Sequence, residues 1–265
     1  MSVRILVAGA AGRMGREVVR AVAGDPDTEL VGAVDVSQTG ADAGELAGVG
    51  ARGIPIRPDL AAALRDTHAE VVVDFTRAEA AFANAKVALA AGVSPVIGTT
   101  GMPPEQIGEL GRRAEEKGVG AVVAPNFALG AVLLMRFAAQ AARYMPEVEI
   151  IELHHEKKVD APSGTALKTA EMIRAARAAE RLPRPDEEVK LPGSRGGDWD
   201  GIRIHSVRLP GYVAHQEVIF GGVGQTLTLR HDSIDRASFM PGVLMACKRV
   251  RGLKRLVHGL ENLLD

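Results

Sequence analysis

The run Val3-Arg-Ile-Leu-Val-Ala-Gly-Ala-Ala-Gly-Arg-Met-Gly15 narrows the possible folds more than any other part of this chain. Arg4–Ala8 reads as a strand and Arg13–Ala23 as a helix, with two glycines between them and a third, Gly15, in the first turn of the helix. Glycines at 9, 12 and 15 let the backbone turn tightly and approach a pyrophosphate closely. The helix then offers its free N–H groups and the positive end of its dipole to that anion. An acidic residue, Asp35, ends the next apolar run 20 positions after Gly15, where a carboxylate accepts the hydroxyls of an adenosine ribose. The spacing is G-x-x-G-x-x-G rather than G-x-G-x-x-G, so the context of strand, turn, helix, strand and acid carries the reading. Val36, Ser37 and Gln38 follow Asp35, and no cation is among them. That favours NADH over NADPH, whose 2′-phosphate needs a positive partner.

The rest of the first half repeats the same alternation. Leu30–Val34, Ile54–Ile56, Val71–Phe75, Ser94–Ile97 and Gly120–Ala124 read as strands. Leu60–Arg65, Ala78–Ala91 and Pro104–Lys117 read as helices, with Gly92 and Gly118 where C-terminal caps belong. Apolar strands without alternation predict a parallel sheet covered on both faces. Ser37–Gly53 lacks a period and reads as a long loop, with a helical turn at Ala43–Ala47. The turns Gly98-Thr99-Thr100-Gly101 and Ala124-Pro125-Asn126-Phe127 fall at strand ends, where ligands bind in open parallel sheets. The alternative for both is an ordinary βα connection.

After Phe127 the texture changes. Val132–Tyr144 and Thr165–Ala179 read as helices, and Val148–His155, Ile202–Leu209, His215–Phe220 and Thr226–Arg230 as strands. Arg181–Asp200 is polar and loop-like, and Phe239–Val250 and Leu253–Leu264 read as helices. The expected fold class is α/β: a Rossmann-like, doubly wound parallel sheet in residues 1–127, then an α+β domain with a mixed sheet in residues 128–235. The C-terminal helices, residues 236–265, are expected to return to the first domain.

Composition excludes several functions. Lys and Arg number 32 and Asp and Glu 33, so no basic footprint for nucleic acid exists. The single cysteine, Cys247, excludes an intramolecular disulfide, fits a reducing compartment, and lies in an apolar helical pattern that makes it buried and inert. The N-terminal apolar run is too short for a secretory segment. The longest uncharged stretch, Gly118 to Met135, is interrupted by Pro125-Asn126 and reads as strand, turn and helix start rather than a membrane span. A soluble, cytoplasmic protein is expected.

Most of the plausible chemistry lies in Glu152-Leu-His-His-Glu-Lys-Lys-Val-Asp-Ala-Pro-Ser-Gly-Thr-Ala166. His154 and His155 close a strand, Lys157, Lys158 and Asp160 follow in a loop, and Ser163 is placed to cap a helix. A helix N-terminus holds a carboxylate, a lysine before it adds charge, and a histidine moves a proton near neutral pH. Together they suit an anionic substrate that must be protonated. Adjacent histidines on a strand point to opposite faces and lack the usual ligand spacings, so metal binding is not expected. Ser163-Gly164-Thr165 as a purely structural cap remains the alternative.

At this point the chain resembles the 4-hydroxy-tetrahydrodipicolinate reductase (dihydrodipicolinate reductase) family. Gly9-Ala-Ala-Gly-Arg-Met-Gly15, Asp42-Ala-Gly-Glu-Leu-Ala47, Asp74-Phe-Thr76, Gly98-Thr-Thr-Gly101, Asn126-Phe127 and the run from His154-His155 through Lys158 to Thr165 occur in the family's order. The resemblance implies a homotetramer built through the sheet of the second domain. It also implies reduction of 4-hydroxy-tetrahydrodipicolinate, a small dicarboxylate, to tetrahydrodipicolinate by hydride transfer from NADH or NADPH, in lysine and diaminopimelate biosynthesis. By matched position, His154 is the proton donor and acceptor and Lys158 a second proton donor. His155, Gly164 and Thr165 hold the substrate. Gly9, Ala10, Ala11, Gly12, Arg13, Met14, Asp35, Gly98, Thr99, Thr100, Ala124, Pro125, Asn126 and Phe127 line the cofactor. Some members carry an arginine where this chain has Val36. Another amino-acid or imine dehydrogenase on the same architecture, or a nicotinamide-sensing regulator, are the competing readings.

Overall fold

The computed structural model describes residues 2–177 and 188–264. The chain divides into two compact units, Met1–Ala128 with Phe239–Asp265, and Leu129–Ser238. In the first, strands β1 (Val3–Ala8), β2 (Thr28–Val34), β3 (Ile56–Arg57), β4 (Val71–Asp74), β5 (Ser94–Ile97) and β6 (Ala121–Val123) alternate with helices. The helices are α1 (Arg13–Gly24), α2 (Ala43–Ala47), α3 (Leu60–Thr67), α4 (Ala78–Ala90) and α5 (Pro104–Lys117). Every residue of β4, β5 and β6 is buried, as expected of parallel strands covered on both faces.

One expectation is overturned here. Helix α8 (Met240–Val250) packs on α1, but Leu253–Leu264 is not a second helix. Its residues Leu256–His258 form strand β12, which pairs in parallel with Ala121–Val123 of β6. The apolar residues 253, 256, 257, 260 and 264 do repeat at helical spacing, yet Gly259 takes φ 86°, which an α-helix cannot contain. The free edge of β6 offers ladder hydrogen bonds, and that gain overrides the weak helical propensity of the segment. The finished sheet has the order β12-β6-β5-β4-β1-β2-β3. From β1 the chain runs outward through β2 and β3, then restarts at β4 on the other side of β1. This switch point between β1 and β4 opens a crevice beyond their C-terminal ends.

The loop after β2 is pinned rather than loose. Asp42 accepts backbone N–H groups of Gly44, Glu45, Arg52 and Ile54 at 2.8–3.2 Å. Burial opposes its charge, but these four donors more than offset that and hold its pKa below the usual carboxylate value.

The second unit holds helices α6 (Leu129–Ala141) and α7 (Gly164–Ala176) and strands β7 (Glu147–His154), β8 (Gly197–Trp199), β9 (Ile202–Arg208), β10 (Ala214–Gly222) and β11 (Gln225–Ser233). The expected loop Arg181–Asp200 therefore contains the short strand β8, and residues 181–187, like 178 and 179 of the expected helix, lie outside the described residues. The sheet order is β11-β10-β7-β9-β8, antiparallel except for the parallel pair β7 and β9. Val148, Ile150, Ile202, Ile204, Val218 and Phe220 pack with Leu134, Ala138 and Ile173 of α6 and α7. The opposite face carries the half-buried Ile151, Leu153, Val207 and Ile219, since alternate residues of a strand face opposite ways. Among the described residues no helix is long and apolar enough to cross a membrane.

Candidate active site

Two clusters collect the candidate residues, one in each unit. The first lies beyond the C-terminal ends of β1, β4, β5 and β6. Gly9 and Ala10 donate to the Val34 carbonyl at 2.8 and 3.2 Å, which ties the turn to β2. Ala11 donates to Asp35 Oδ2 at 3.0 Å, and Asp35 Oδ1 accepts both the N–H and the hydroxyl of Ser37 at 2.9 Å. Gly12 precedes the first residue of α1, Arg13, and no side chain caps that helix. At Gly15 an added Cβ would stand 2.0 Å from the Gly9 carbonyl oxygen, so only glycine permits this closeness of helix and turn.

Asp74, at 1% exposure, organises the neighbouring turns. It accepts Thr76 N–H at 2.8 Å, Thr76 Oγ1 at 2.6 Å and Asn84 Nδ2 at 2.8 Å, with Thr99 Oγ1 further off at 3.4 Å. Gly98 donates to the Asp74 carbonyl, and Ala124 donates to Ile97. A cleft of about 400 Å³ opens here, bordered by Met14, Phe75, Thr76, Arg77, Gly98 and Thr100. The side chains of Ala10, Ala124 and Phe127 are buried, so these positions present only backbone to the cleft side. Phe127 packs on Phe75, ring centroids 6.0 Å apart. Pro125 is exposed, and Asn126 Oδ1 accepts Ala128 N–H at 2.9 Å.

The residues present fit a dinucleotide. The uncapped N-terminus of α1 leaves first-turn N–H groups for a pyrophosphate, the turn carries no side chain that would block it, and Asp35 keeps lone pairs for ribose hydroxyls. Phe75, Thr76 and Arg77 border the cleft although sequence reasoning gave them no role; their position directly after the buried β4 was the available signal.

The second cluster is at the end of β7. His154 Nδ1 hydrogen-bonds Glu152, two residues back on the same face of the strand. Glu152 is 0% exposed and also accepts Arg208 of β9 through both terminal nitrogens, at 3.0 and 2.7 Å. Burial opposes its ionisation, but hydrogen bonds from His154, Arg208 and Ser206 outweigh that and bring its pKa to about 2. Arg208 further donates to the Asp160 carbonyl at 2.7 Å. The Asp160 carboxylate takes Lys158 Nζ at 2.8 and 2.9 Å. His154 and Lys158 are thus joined in one network. His155 lies past the strand end, exposed, and its carbonyl accepts Lys158 N–H at 3.2 Å. Lys157 is exposed.

Ser163, 3% exposed, caps α7 by accepting Ala166 N–H at 3.2 Å. Gly164 and Thr165 form the first turn, at the positive end of the helix dipole. Glu152 opens the segment singled out in the sequence but was given no role there, and Arg208 was not singled out at all. A charged residue at the covered parity of β7 was a signal for the first; nothing local marks an arginine 56 residues away. Cys247 is 0% exposed, and burial pushes its thiol pKa up, so it is unreactive.

Family models for dihydrodipicolinate reductase match nearly the whole chain, the N-terminal model over residues 3–127 and the C-terminal model over residues 130–264. The chain belongs to the dihydrodipicolinate reductase family. A protein of Moorella thermoacetica named 4-hydroxy-tetrahydrodipicolinate reductase is 56% identical over 100% of this chain and 98% of its own length. One of the same name from Geobacillus kaustophilus is 52% identical over the full length of both. The dipicolinate-bound dihydrodipicolinate reductase of a Paenisporosarcina species superposes with a TM-score of 0.89 at 44% identity, covering 100% of each chain. An amine dehydrogenase from Mycobacterium smegmatis, 15% identical over 94% of this chain and 92% of its own, shares the fold at a TM-score of 0.66. The family makes this chain an NAD(P)-dependent oxidoreductase of lysine and diaminopimelate biosynthesis. That favours neither the nicotinamide-sensing regulator nor another amino-acid or imine dehydrogenase on the same architecture.

Proposed function

We propose that this enzyme reduces 4-hydroxy-tetrahydrodipicolinate to tetrahydrodipicolinate with His154 and Lys158 as its proton-handling groups. The overall change takes up one hydride and one proton and releases water. Bound NAD(P)H supplies the hydride. The carrying observation is the network that holds His154 by Nδ1 and Lys158 by Asp160, beside the N-terminus of α7. With Nδ1 engaged, Nε2 is the nitrogen that exchanges a proton with substrate. Lys158 leaves Asp160 to meet a substrate carboxylate, exchanging one anionic partner for another. His155, Gly164 and Thr165 hold the dicarboxylate, the helix end contributing N–H groups. Residues 1–127, with the returning C-terminal segment 236–265, form the dinucleotide domain, and residues 128–235 the substrate domain. Gly9, Ala10, Ala11, Gly12, Arg13, Met14, Asp35, Gly98, Thr99, Thr100, Ala124, Pro125, Asn126 and Phe127 receive the cofactor. NADH is preferred, because Val36 beside Asp35 carries no charge. The enzyme is a cytoplasmic homotetramer assembled through the uncovered face of the second sheet, where Ile151, Leu153, Val207 and Ile219 stand half-exposed.

The test is turnover. Substrate made in place by the synthase from pyruvate and aspartate semialdehyde should drive nicotinamide oxidation, faster with NADH than NADPH at limiting cofactor. No oxidation with either cofactor removes the proposal. Sedimentation equilibrium checks the tetramer.

A further inference from the structure

Glu152 demands an explanation that packing does not provide. It lies on the face of β7 that α6 and α7 cover, in line with Val148 and Ile150, where an apolar residue would fit the pattern. A buried ion pair is commonly no more stabilising than apolar groups of the same volume. Its surroundings are specific. From β9, Arg208 grips both carboxylate oxygens and Ser206 adds a hydrogen bond; from β10, Gln216 lies opposite in register; from its own strand comes His154. Arg208 balances the charge of Glu152. The same guanidinium reaches the Asp160 carbonyl, whose residue holds Lys158. One carboxylate therefore connects to both groups that handle protons.

We propose that Glu152 is a positioning residue for proton delivery: it accepts the His154 Nδ1 proton, which selects Nε2 as the working nitrogen, and through Arg208 it anchors the Asp160 backbone that carries Lys158. Glu152 itself touches neither substrate nor cofactor. The inference rests on the reading of His154 as the proton donor. A neutral imidazole has one N–H, and an acceptor at Nδ1 decides which nitrogen bears it. An amide in its place can turn its NH₂ toward Nδ1 and stabilise the opposite tautomer.

The decisive experiment combines kinetics with nitrogen NMR of ¹⁵N-histidine-labelled enzyme, the His154 signals being assigned by their loss in His154→Ala. In the parent above the histidine titration, Nδ1 of His154 should carry the proton and Nε2 should not. In Glu152→Gln the proton should move wholly or partly to Nε2. The kcat of Glu152→Gln should fall by roughly 10²–10⁴-fold, the worth of the positioned proton donor whose tautomer it sets. Its KM for NADH should stay within about twofold, because the cofactor is held elsewhere. Added to His154→Ala, Glu152→Gln should lower kcat no further than about threefold, and the remaining effect should fall on substrate KM through Lys158. A parent His154 protonated on Nε2 overturns the inference, and that spectrum stands even where the variant does not fold. A folded Glu152→Gln with the parent tautomer and near-parent kcat overturns it as well. Near-parent kcat in His154→Ala instead sinks the proton-donor reading, while leaving the tautomer result to be judged by itself.

Discussion

Around Gly9–Gly15 the atoms offered to a ligand are positioned by main chain, whereas around His154 they are positioned by charge. Each region has its own buried carboxylate. Asp74, at 1% exposure, is satisfied by the neutral donors of Thr76 and Asn84, and Glu152, at 0%, by Arg208 and His154. A network of amides and hydroxyls keeps one arrangement whatever the protonation of its surroundings. A network containing histidine changes when a proton moves. The first suits a site that must present the same shape at every turnover. The second suits a site where a proton is delivered.

Removing one member from each region should break them differently. His154→Ala should lower kcat by roughly 10²–10⁴, the usual worth of a positioned general acid or base. Its affinity for NADH should hardly change. Stopped-flow turnover together with NADH fluorescence titration separates the two, and a weakened NADH complex would show that the regions are not independent. Gly15→Ala should do the reverse. The Cβ meets the Gly9 carbonyl oxygen at 2.0 Å, a backbone atom that cannot swing aside, so the turn itself must shift. NADH affinity should drop, because a displaced turn no longer lets the backbone approach the pyrophosphate. Binding of a substrate analogue to the second unit should persist. Parent-like NADH binding in Gly15→Ala would deny the turn its role.

The same contrast explains what could be read from sequence. Gly9, Gly12, Gly15 and Asp35 lie within one strand-helix-strand unit, so their spacing states their geometry. His154, Lys158 and Ser163 were legible for the same reason, lying on ten consecutive residues. Arg208 was not, because its pairing with Glu152 depends on β9 lying beside β7 in parallel, a register no local pattern states. The tail failed for a related reason. Its apolar period suits a helix, and only the vacant edge of β6 makes Leu256–His258 a strand. Asp42 stands between these cases: its motif was noticed, but its role, accepting four backbone N–H groups that pin a loop, needed the positions of Arg52 and Ile54.

Charge-built positioning also predicts unequal lysines. Lys158 is held by Asp160 at 2.8 Å, whereas the neighbouring Lys157 is exposed. Pyridine-2,6-dicarboxylate, a planar dicarboxylate, should compete with substrate, and a monocarboxylate analogue should bind much more weakly. Lys158→Ala should weaken the dicarboxylate by about 2 kcal/mol, the loss of a charged hydrogen bond. Lys157→Ala should leave it unchanged. Isothermal titration decides, and equal binding by both variants would mean that this loop is not the anion site.

The smallest effect is expected where the main chain dominates most. Asp35 already accepts Ala11 N–H at 3.0 Å and the Ser37 hydroxyl at 2.9 Å, so part of its work is to hold the turn. On the proposed reading, its remaining lone pairs would accept ribose hydroxyls and its charge would repel a 2′-phosphate. Val36, 91% exposed, adds no compensating cation. The parent should therefore show a lower KM for NADH than for NADPH. Asp35→Ser should narrow that gap by less than roughly tenfold, because one exposed like-charge repulsion is worth only about 1 kcal/mol in water. The glycine turn and the uncapped helix should hold the pyrophosphate of either cofactor unchanged. KM values for both cofactors in both proteins measure this directly. A parent that prefers NADPH would place a distant cation at the ribose, and the cofactor region would then owe its selectivity to charge after all.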